Sequence, residues 1–405
     1  MEKSKNIPSL RFPEFDGEWE NTKLGKVAKF SKGKGISKSD ITEGGINECI
    51  RYGELYTRYG EVIQDIYSKT DFNINLAVIS EANDVIIPAS GETQIDIATA
   101  SCVIKSGVIL GGDLNIIKTN KNGVFLSYYL NNKRKLDIAN LAQGISVVHL
   151  YSSQLALLNL NFPTLSEQTK IASFLTAVDD KLQALKQKKT LLEQYKKGVM
   201  QKIFSQELQF KDDNGNDYPD WEETKLGEIL IEKNEKTSSS GQHRILSSTA
   251  KGIFNQDEYF TRDIASKDNT GYKILRKYQL VFSPQNLWLG NINVNMNFEI
   301  GIVSPSYKIF SFDEKFTIAE YCQYFLLTPK MMFEYEQSST QGASVVRRNL
   351  DMDKFLSIEF LLPSIGEQTK IANFLSAIDD KINHCEAQIE KIEVWKKGLL
   401  QQMFC

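Results

Sequence analysis

The segment 167–204 returns without a gap at 367–404, an offset of 200 positions. Roughly half of the aligned residues are identical, and the replacements keep their chemistry: Val178 by Ile378, Leu182 by Ile382, Tyr195 by Trp395, Met200 by Leu400. In the first copy Ile171, Leu175, Val178, Leu182, Leu185, Lys189, Leu192, Lys196, Val199 and Ile203 follow one another in steps of four and three, the seam of a heptad repeat. The second copy gives Ile371, Leu375, Ile378, Ile382, Cys385, Ile389, Ile392, Lys396, Leu399 and Met403. A lone helix cannot bury such a stripe, so each copy needs a partner. The other copy is the nearest candidate, which predicts an intramolecular coiled coil. The competing expectation is that each stripe lies on the core of its own domain.

The repeat is not confined to these helices. Residues 12–30 are echoed at 218–230, with Trp19 matched by Trp221 and Thr22-Lys23-Leu24-Gly25 by Thr224-Lys225-Leu226-Gly227. A chain of 405 residues therefore reads as two domains on one plan. The expected division is a first domain over 1–163, a central helix over 164–205, a second domain over 206–363 and a C-terminal helix over 364–405. Short apolar runs bounded by Gly, Asn and Asp predict strands at 84–88, 102–104, 114–117 and 158–162 in the first half. A helix is expected at 124–138. The second half repeats the order, with strands at 275–283, 300–311 and 355–362 and a helix at 316–335. The fold class is mixed α/β (α+β). Pro163 and Pro363 end the last strands, Ser166 is a plausible helix N-cap, and the polar run 211–217 reads as the linker leaving the first helix.

Chemistry-bearing motifs are scarce. The sequence has no phosphate-binding Gly-x-x-x-x-Gly-Lys-Ser/Thr loop, and none of its nine prolines is adjacent to another, so an Asn/Asp-Pro-Pro-aromatic loop for base amino methylation does not exist here. Pro219-Asp220 with Glu223-Thr224-Lys225 superficially matches a nuclease pattern, but Asn21 stands where Glu223 does in the other half. Cys49, Cys102, Cys322, Cys385 and Cys405 are scattered and there are three histidines, which argues against a zinc site. Asp179-Asp180 and Asp379-Asp380 read as solvated flanks or contacts with another subunit. The glycines of Lys196-Lys197-Gly198 and Lys396-Lys397-Gly398 suggest close backbone approach or a bend. A formal charge of −3 neither requires nor excludes nucleic acid, because Lys23, Lys26, Lys29, Lys32, Lys34 and Lys38 follow one another without an intervening acid. No apolar run reaches membrane-spanning length and the first residues lack a signal-peptide core, so a soluble cytoplasmic protein is expected.

Two divergent halves, each closed by a strand, a proline and a long helix, carry Pro163-Thr164-Leu165-Ser166-Glu167-Gln168-Thr169-Lys170-Ile171-Ala172 and Pro363-Ser364-Ile365-Gly366-Glu367-Gln368-Thr369-Lys370-Ile371-Ala372, each with Lys-Lys-Gly further along the helix. In this the chain resembles the specificity subunit of type I restriction-modification enzymes, over its whole length. The resemblance implies two target recognition domains joined by two long antiparallel coiled-coil helices with an internal pseudo-twofold repeat. It implies a non-catalytic subunit of a restriction endonuclease and adenine-specific DNA methyltransferase complex, each domain reading one half of a bipartite asymmetric double-stranded DNA target. Two copies of the modification subunit would dock on the helices, and ATP-dependent restriction subunits would join them. The chain itself would bind no cofactor; S-adenosylmethionine, ATP and magnesium belong to its partners. The rival classes are a coiled-coil scaffold without DNA binding and a stand-alone DNA-modifying enzyme.

Helices of this length, at about 1.5 Å per residue, cap the separation of the half-site centres near ~17 base pairs, with packing bringing it closer to one turn of DNA. Among the DNA contacts, Lys32, Lys34 and Lys38 are candidates for phosphates, and Arg51, Tyr52, Tyr56 and Arg58 for a groove. In the second domain the candidates are Arg262, Gln285, Asn286, Asn291 and Asn293, around an exposed-looking Trp288. The matching segments 143–149 and 341–348 add Ser146 and His149, and Ser344, Arg347 and Arg348.

Overall fold

The structure, a computed structural model, describes residues 6–144, 147–259, 268–341 and 348–405. The chain divides into two compact units, Met1–Gln187 with Glu386–Cys405, and Lys188–Cys385. The central helix runs Leu165–Phe204 and the C-terminal helix Ile365–Gln402. Each unit therefore holds one globular domain, the start of the helix that follows it, and the end of the other helix.

In the first unit a five-stranded sheet has the order Ala28–Lys32, Leu114–Thr119, Asp84–Pro88, Ser101–Val103, Val62–Ile63. All its pairings are antiparallel except the last, which is parallel. The second unit repeats the first four places as Leu230–Lys233, Lys308–Phe312, Leu280–Phe282, Ile292–Val294, all antiparallel. A two-stranded ribbon closes each domain in matching register, Glu20 opposite Phe162 and Glu222 opposite Leu362. Strand Asp84–Pro88 is buried on both faces. Its alternation sends Val85 and Ile87 into one apolar cluster and Ile86 into another.

The domain core and the helix seam are one body in each unit. Trp19, Phe125 and Tyr129 share a cluster with Ile171, Leu175 and Val178 of the central helix and with Leu399, Met403 and Phe404. In the second unit Tyr321, Phe325 and Phe360 share a cluster with Ile371, Leu375, Ile378 and Ile382, and with Ile203 of the central helix, against which Leu192 and Val199 pack. Both expectations for the stripe thus hold along different parts of it. Of the seam residues, Ile171, Leu175, Val178, Leu185, Ile371, Leu375, Ile378 and Ile382 are buried, and Leu182, Leu192, Ile389 and Ile392 are partly buried. The helix segments in the first unit run antiparallel: Asp179 meets Lys396 at 2.6 Å, while further along the central helix Lys186 meets Glu393, earlier in the other helix, at 2.6 Å.

Several predicted elements are subdivided. The helix expected at 124–138 is Gly123–Asn132 followed by Lys135–Leu141, and the one at 316–335 is Ala319–Phe325 followed by Pro329–Gln337. Pro329 enters at the first turn, where its missing N–H costs nothing. The strand expected at 355–362 is a short helix, Met352–Leu356, and then a strand, Glu359–Leu362, because the Asp351 carboxylate accepts from the Asp353 and Lys354 amides and nucleates a turn. The strands expected at 275–283 and 300–311 each split in two, as Lys273–Arg276 with Leu280–Phe282 and Ile300–Val303 with Lys308–Phe312.

Candidate nucleic-acid interface

The repeated Glu-Gln-Thr-Lys-Ile-Ala is the joint between domain and helix. Thr164, not Ser166, caps the central helix, its hydroxyl accepting from the Glu167 N–H at 3.3 Å, and Ser364 does the same for Glu367 at 3.4 Å. Gln168 and Gln368 are fully buried. Each donates back to the preceding proline carbonyl at 2.8 Å. The Gln168 side-chain oxygen accepts the Asn122 amide at 3.0 Å, and Gln368 accepts from Ile318 N at 3.1 Å and Thr317 Oγ1 at 2.9 Å. Asn122 and Ile318 are the residues that open the domain helices, so one glutamine fixes each domain to its long helix. Ile171, Ala172, Ile371 and Ala372 are buried behind it.

The glutamates differ between the units. Arg11 grips Glu167 through Nε and Nη2, at 2.8 and 2.7 Å, and Trp19 Nε1 donates to the same carboxylate at 3.4 Å. Trp221 Nε1 donates to Glu367 at 2.9 Å. No cation pairs with Glu367 among the described residues, and burial pushes its carboxyl pKa above the ordinary value, the Trp221 hydrogen bond opposing. The structure also extends the repeat beyond the sequence match. Leu10 N donates to Gln402 O at 3.0 Å and Leu208 N to Lys202 O at 2.9 Å. Phe12 meets Phe174 and Phe210 meets Phe374 edge to face at 5.6 and 5.5 Å. Arg11 accordingly falls where the second unit has Gln209.

The paired carboxylates and the Lys-Lys-Gly triplets belong together. Asp179 accepts from the Tyr128 hydroxyl at 2.6 Å and pairs with Lys396 at 2.6 Å. In the second unit Asp379 accepts from Tyr324 at 2.8 Å and pairs with Lys196 at 2.6 Å. Each lysine also lies over its tyrosine ring, at 5.7 and 4.9 Å. Burial, together with the neighbouring aspartate, raises the pKa of both tyrosines. These aspartates are therefore not solvated flanks: they bind domain to helix and helix to helix. A Cβ on Gly198 would meet nothing within 4 Å and one on Gly398 only Gln402 Nε2 at 4.0 Å, so neither glycine serves close approach within its unit.

The structure distributes the candidate DNA contacts unevenly. Lys32, Lys34 and Lys38 are exposed on the edge strand of the first sheet and the segment after it. Lys32 stands opposite Asn115, whose side chain donates to Leu150 O at 2.9 Å, next to His149. His149 is exposed and pairs by its backbone with Ser90. Tyr56 lies near enough to Glu92 and Asp96 for their charges to add to the effect of burial on its hydroxyl pKa, which is raised. Arg51 and Tyr52 are half-buried: Arg51 pairs with the buried Glu54 at 3.7 Å, and Tyr52 packs on an apolar cluster. Exposed Arg58 is set apart, lining a cleft with Tyr67, Asp180 and Lys396.

In the second unit Gln285 is exposed, Asn286 is half-buried, and the Gln285 carbonyl accepts from Arg348 N at 3.1 Å. The Arg348 guanidinium stacks on Trp288 at 4.6 Å and pairs with Glu336 at 2.8 Å, so Trp288 is half-covered and not an open platform. Asn291 and Asn293 serve the fold instead. Asn291 is buried and accepts from Ser248 at 2.8 Å, and the Asn293 amide donates to Ser248 Oγ at 2.8 Å and Thr249 O at 2.9 Å. Ser146, Arg262, Ser344 and Arg347 lie outside the described residues.

His149 and Arg348, at the ends of segments 143–149 and 341–348, occupy equivalent places. His149 is bound to the connection that follows strand Asp84–Pro88, and Arg348 to the connection that follows strand Leu280–Phe282. Sequence reasoning found the second connection through its amides and missed the first, residues 89–97, where Glu92, Thr93, Gln94 and Ile95 are exposed. Its Ser-Gly-Glu-Thr-Gln matches no motif and has no counterpart in the aligned repeat.

Two copies of one domain, each locked by the same glutamine joint and the same Tyr-Asp-Lys contact to long helices and each presenting a loop pair at one edge, define a duplicated recognition scaffold. The description "type I restriction modification DNA specificity domain" matches residues 16–194 and 218–394, and the chain belongs to that family. It is a specificity subunit, the non-catalytic component that supplies DNA sequence specificity to a type I restriction-modification system. The MjaVIII specificity subunit of Methanocaldococcus jannaschii is 26% identical over 238 residues, 56% of this chain and 52% of that relative. The putative MjaX specificity subunit of the same organism is 23% identical over 98% of this chain and 95% of its own length. A crystal structure of the S subunit of the type I restriction-modification system from M. genitalium shares the fold, with a TM-score of 0.60 at 16% identity, covering 98% of this chain and 99% of that one. No helix among the described residues is long and apolar enough to cross a membrane.

Proposed function

We infer that each domain reads one half of a bipartite, asymmetric double-stranded DNA target and that the paired helices fix the spacing between the halves. The observation that carries this reading is the repetition, residue for residue, of the joints that hold two divergent domains: Gln168 and Gln368, Tyr128–Asp179–Lys396 and Tyr324–Asp379–Lys196. A scaffold whose two ends are attached identically presents equivalent faces, while its different loops read different bases. Lys32, Lys34 and Lys38 would hold phosphates, and His149, Tyr56, Gln285, Asn286 and Arg348 would lie toward the grooves. Two modification subunits would dock on equivalent helix surfaces, near exposed Trp395 in the first unit and exposed Tyr195 in the second. Restriction subunits would then join. S-adenosylmethionine, ATP and magnesium would be bound by those partners, in the cytoplasm.

The test is methylation sequencing of DNA from cells expressing this chain with its modification subunit. The reading expects one asymmetric motif in two parts with adenine methylation in each, and salt-dependent DNA binding by the assembled complex. Methylation or cleavage of DNA by the purified chain alone would overturn it.

A further inference from the structure

The connection between strands Asp84–Pro88 and Ser101–Val103 has the same topological position as the one between Leu280–Phe282 and Ile292–Val294, since the two sheets share their strand order. In each unit it leaves the same end of the sheet and is bonded to the late loop: Leu150 N donates to Ala89 O at 2.9 Å, and Arg348 N to Gln285 O at 3.1 Å. The first connection is held firmly from behind. Ser90 and Gly91 pair with His149 and Val148, and the Thr93 hydroxyl accepts from Asp96 N at 3.1 Å and donates to the Asp96 carboxylate at 2.6 Å. Its outward side chains therefore sit on a fixed backbone.

Those side chains form an unusual surface. Ile95, Val147 and Tyr151 are about half exposed, His149 is exposed beside them in the chain, and Glu92 is exposed with no ion-pair partner among the described residues. Lys32, opposite the Asn115 that donates to Leu150 O, suits a phosphate backbone on the same domain, and an unpaired carboxylate repels one. A carboxylate is favourable here only where it meets a donor, and in the major groove the amino groups of cytosine and adenine are the donors that bases present. Apolar Ile95 and Val147 suit a thymine methyl in the same groove.

Resting on the reading above, we propose that residues 92–95 read base edges of the first half-site, with Glu92 accepting from the exocyclic amino group of a cytosine or adenine. Glu92 is then a specificity-determining residue, the counterpart of the amides Gln285 and Asn286 in the second unit.

The experiment compares methylation motifs of the assembled complex containing the unaltered chain, Glu92→Gln or Glu92→Asp. Glu92→Gln keeps the shape and adds a donor. It is expected to relax or change one position of one half-site, raising methylation of sites with a substituted base there by roughly tenfold to a hundredfold. The other half-site and the spacer stay as they were. Glu92→Asp keeps the charge and the folding environment and shortens the reach. It is expected to affect the same position, and decides the matter if the glutamine variant does not assemble. Motifs identical to that of the unaltered chain, or a change in the half-site that responds to Gln285→Ala, would overturn the proposal. A wild-type complex yielding no bipartite motif would instead overturn the specificity reading itself, so the two failures are distinguishable.

Discussion

Lys396 Nζ lies 2.6 Å from Asp179 Oδ1, and the Tyr128 hydroxyl donates to the other oxygen of that carboxylate at 2.6 Å. The lysine that breaks the apolar seam of one helix thus answers a carboxylate on the other, and the arrangement recurs at Lys196, Asp379 and Tyr324. An antiparallel pairing places them together, which makes the charges a register device as well as a contact. Asp179→Ala takes its acceptor from a buried hydroxyl and leaves the half-buried ammonium only Glu61 at 3.7 Å, and should cost about 1–3 kcal/mol in urea unfolding. The Asp179→Ala/Lys396→Ala double variant should lose clearly less than the sum of the singles. Strict additivity would show that the pair does not couple.

The buried Glu367 makes stability depend on pH. The Glu367 carboxyl pKa is raised in the folded chain, so between the ordinary value and the raised one the folded state holds more protons than the unfolded state. Stability contributed by this site is therefore present at low pH and lost as pH rises through the folded pKa. Glu367→Gln retains an acceptor for Trp221 and should remove that fall, leaving the variant at least as stable as the parent near neutrality. Melting curves across the acid-to-neutral range read the difference; an unchanged pH profile would refute it.

Arg11→Gln recreates in the first unit the arrangement of the second, where Gln209 stands. It strips a bidentate partner from a carboxylate that is 1% exposed, for a cost of about 2–4 kcal/mol. Urea unfolding of the two proteins measures the loss, and equal stability would contradict it.

Gly398 sits inside a helix where a Cβ would meet only the end of the Gln402 side chain, at 4.0 Å. Gly398→Ala should stabilise the free chain by about 1 kcal/mol. Trp395 is 50% exposed and Val394 74% exposed on the same stretch of helix, where the modification subunit is proposed to dock, so the same change should weaken assembly. A thermal melt and a titration with that subunit separate the two effects. Stabilisation without loss of affinity would leave the glycine without a role in docking.

The large plan of this molecule was legible because it is written twice. Ile171, Leu175 and Val178 announce a helix in need of a partner, and Trp19 with Trp221 extends the repeat to the domains. What escaped depends on contacts distant in sequence. Lys196 and Lys396 look like flaws in the seam until an antiparallel partner supplies Asp379 and Asp179. Asn291 and Asn293 read as recognition amides, yet Ser248, far from them in sequence, takes their hydrogen-bonding capacity. The apolar run at 355–362 predicts one strand, yet its first residues close the short helix Met352–Leu356, because a cap outweighs the apolar pattern over so few residues. Glu92 carries no signal in the sequence, because only the sheet order makes its loop equivalent to the one bearing Gln285.

The central claim is that the domains choose the bases and the helices choose the distance. It is tested by inserting one heptad into both long helices, after Gln187 and after Cys385, which keeps the Asp179–Lys396 and Lys196–Asp379 pairs within their own units. Methylation sequencing of the assembled complex should then show both half-sites unchanged and the unspecified spacer longer by about 3 base pairs, seven residues at ~1.5 Å against ~3.4 Å per base pair. A changed base within either half-site, or an unchanged spacer, would contradict the account.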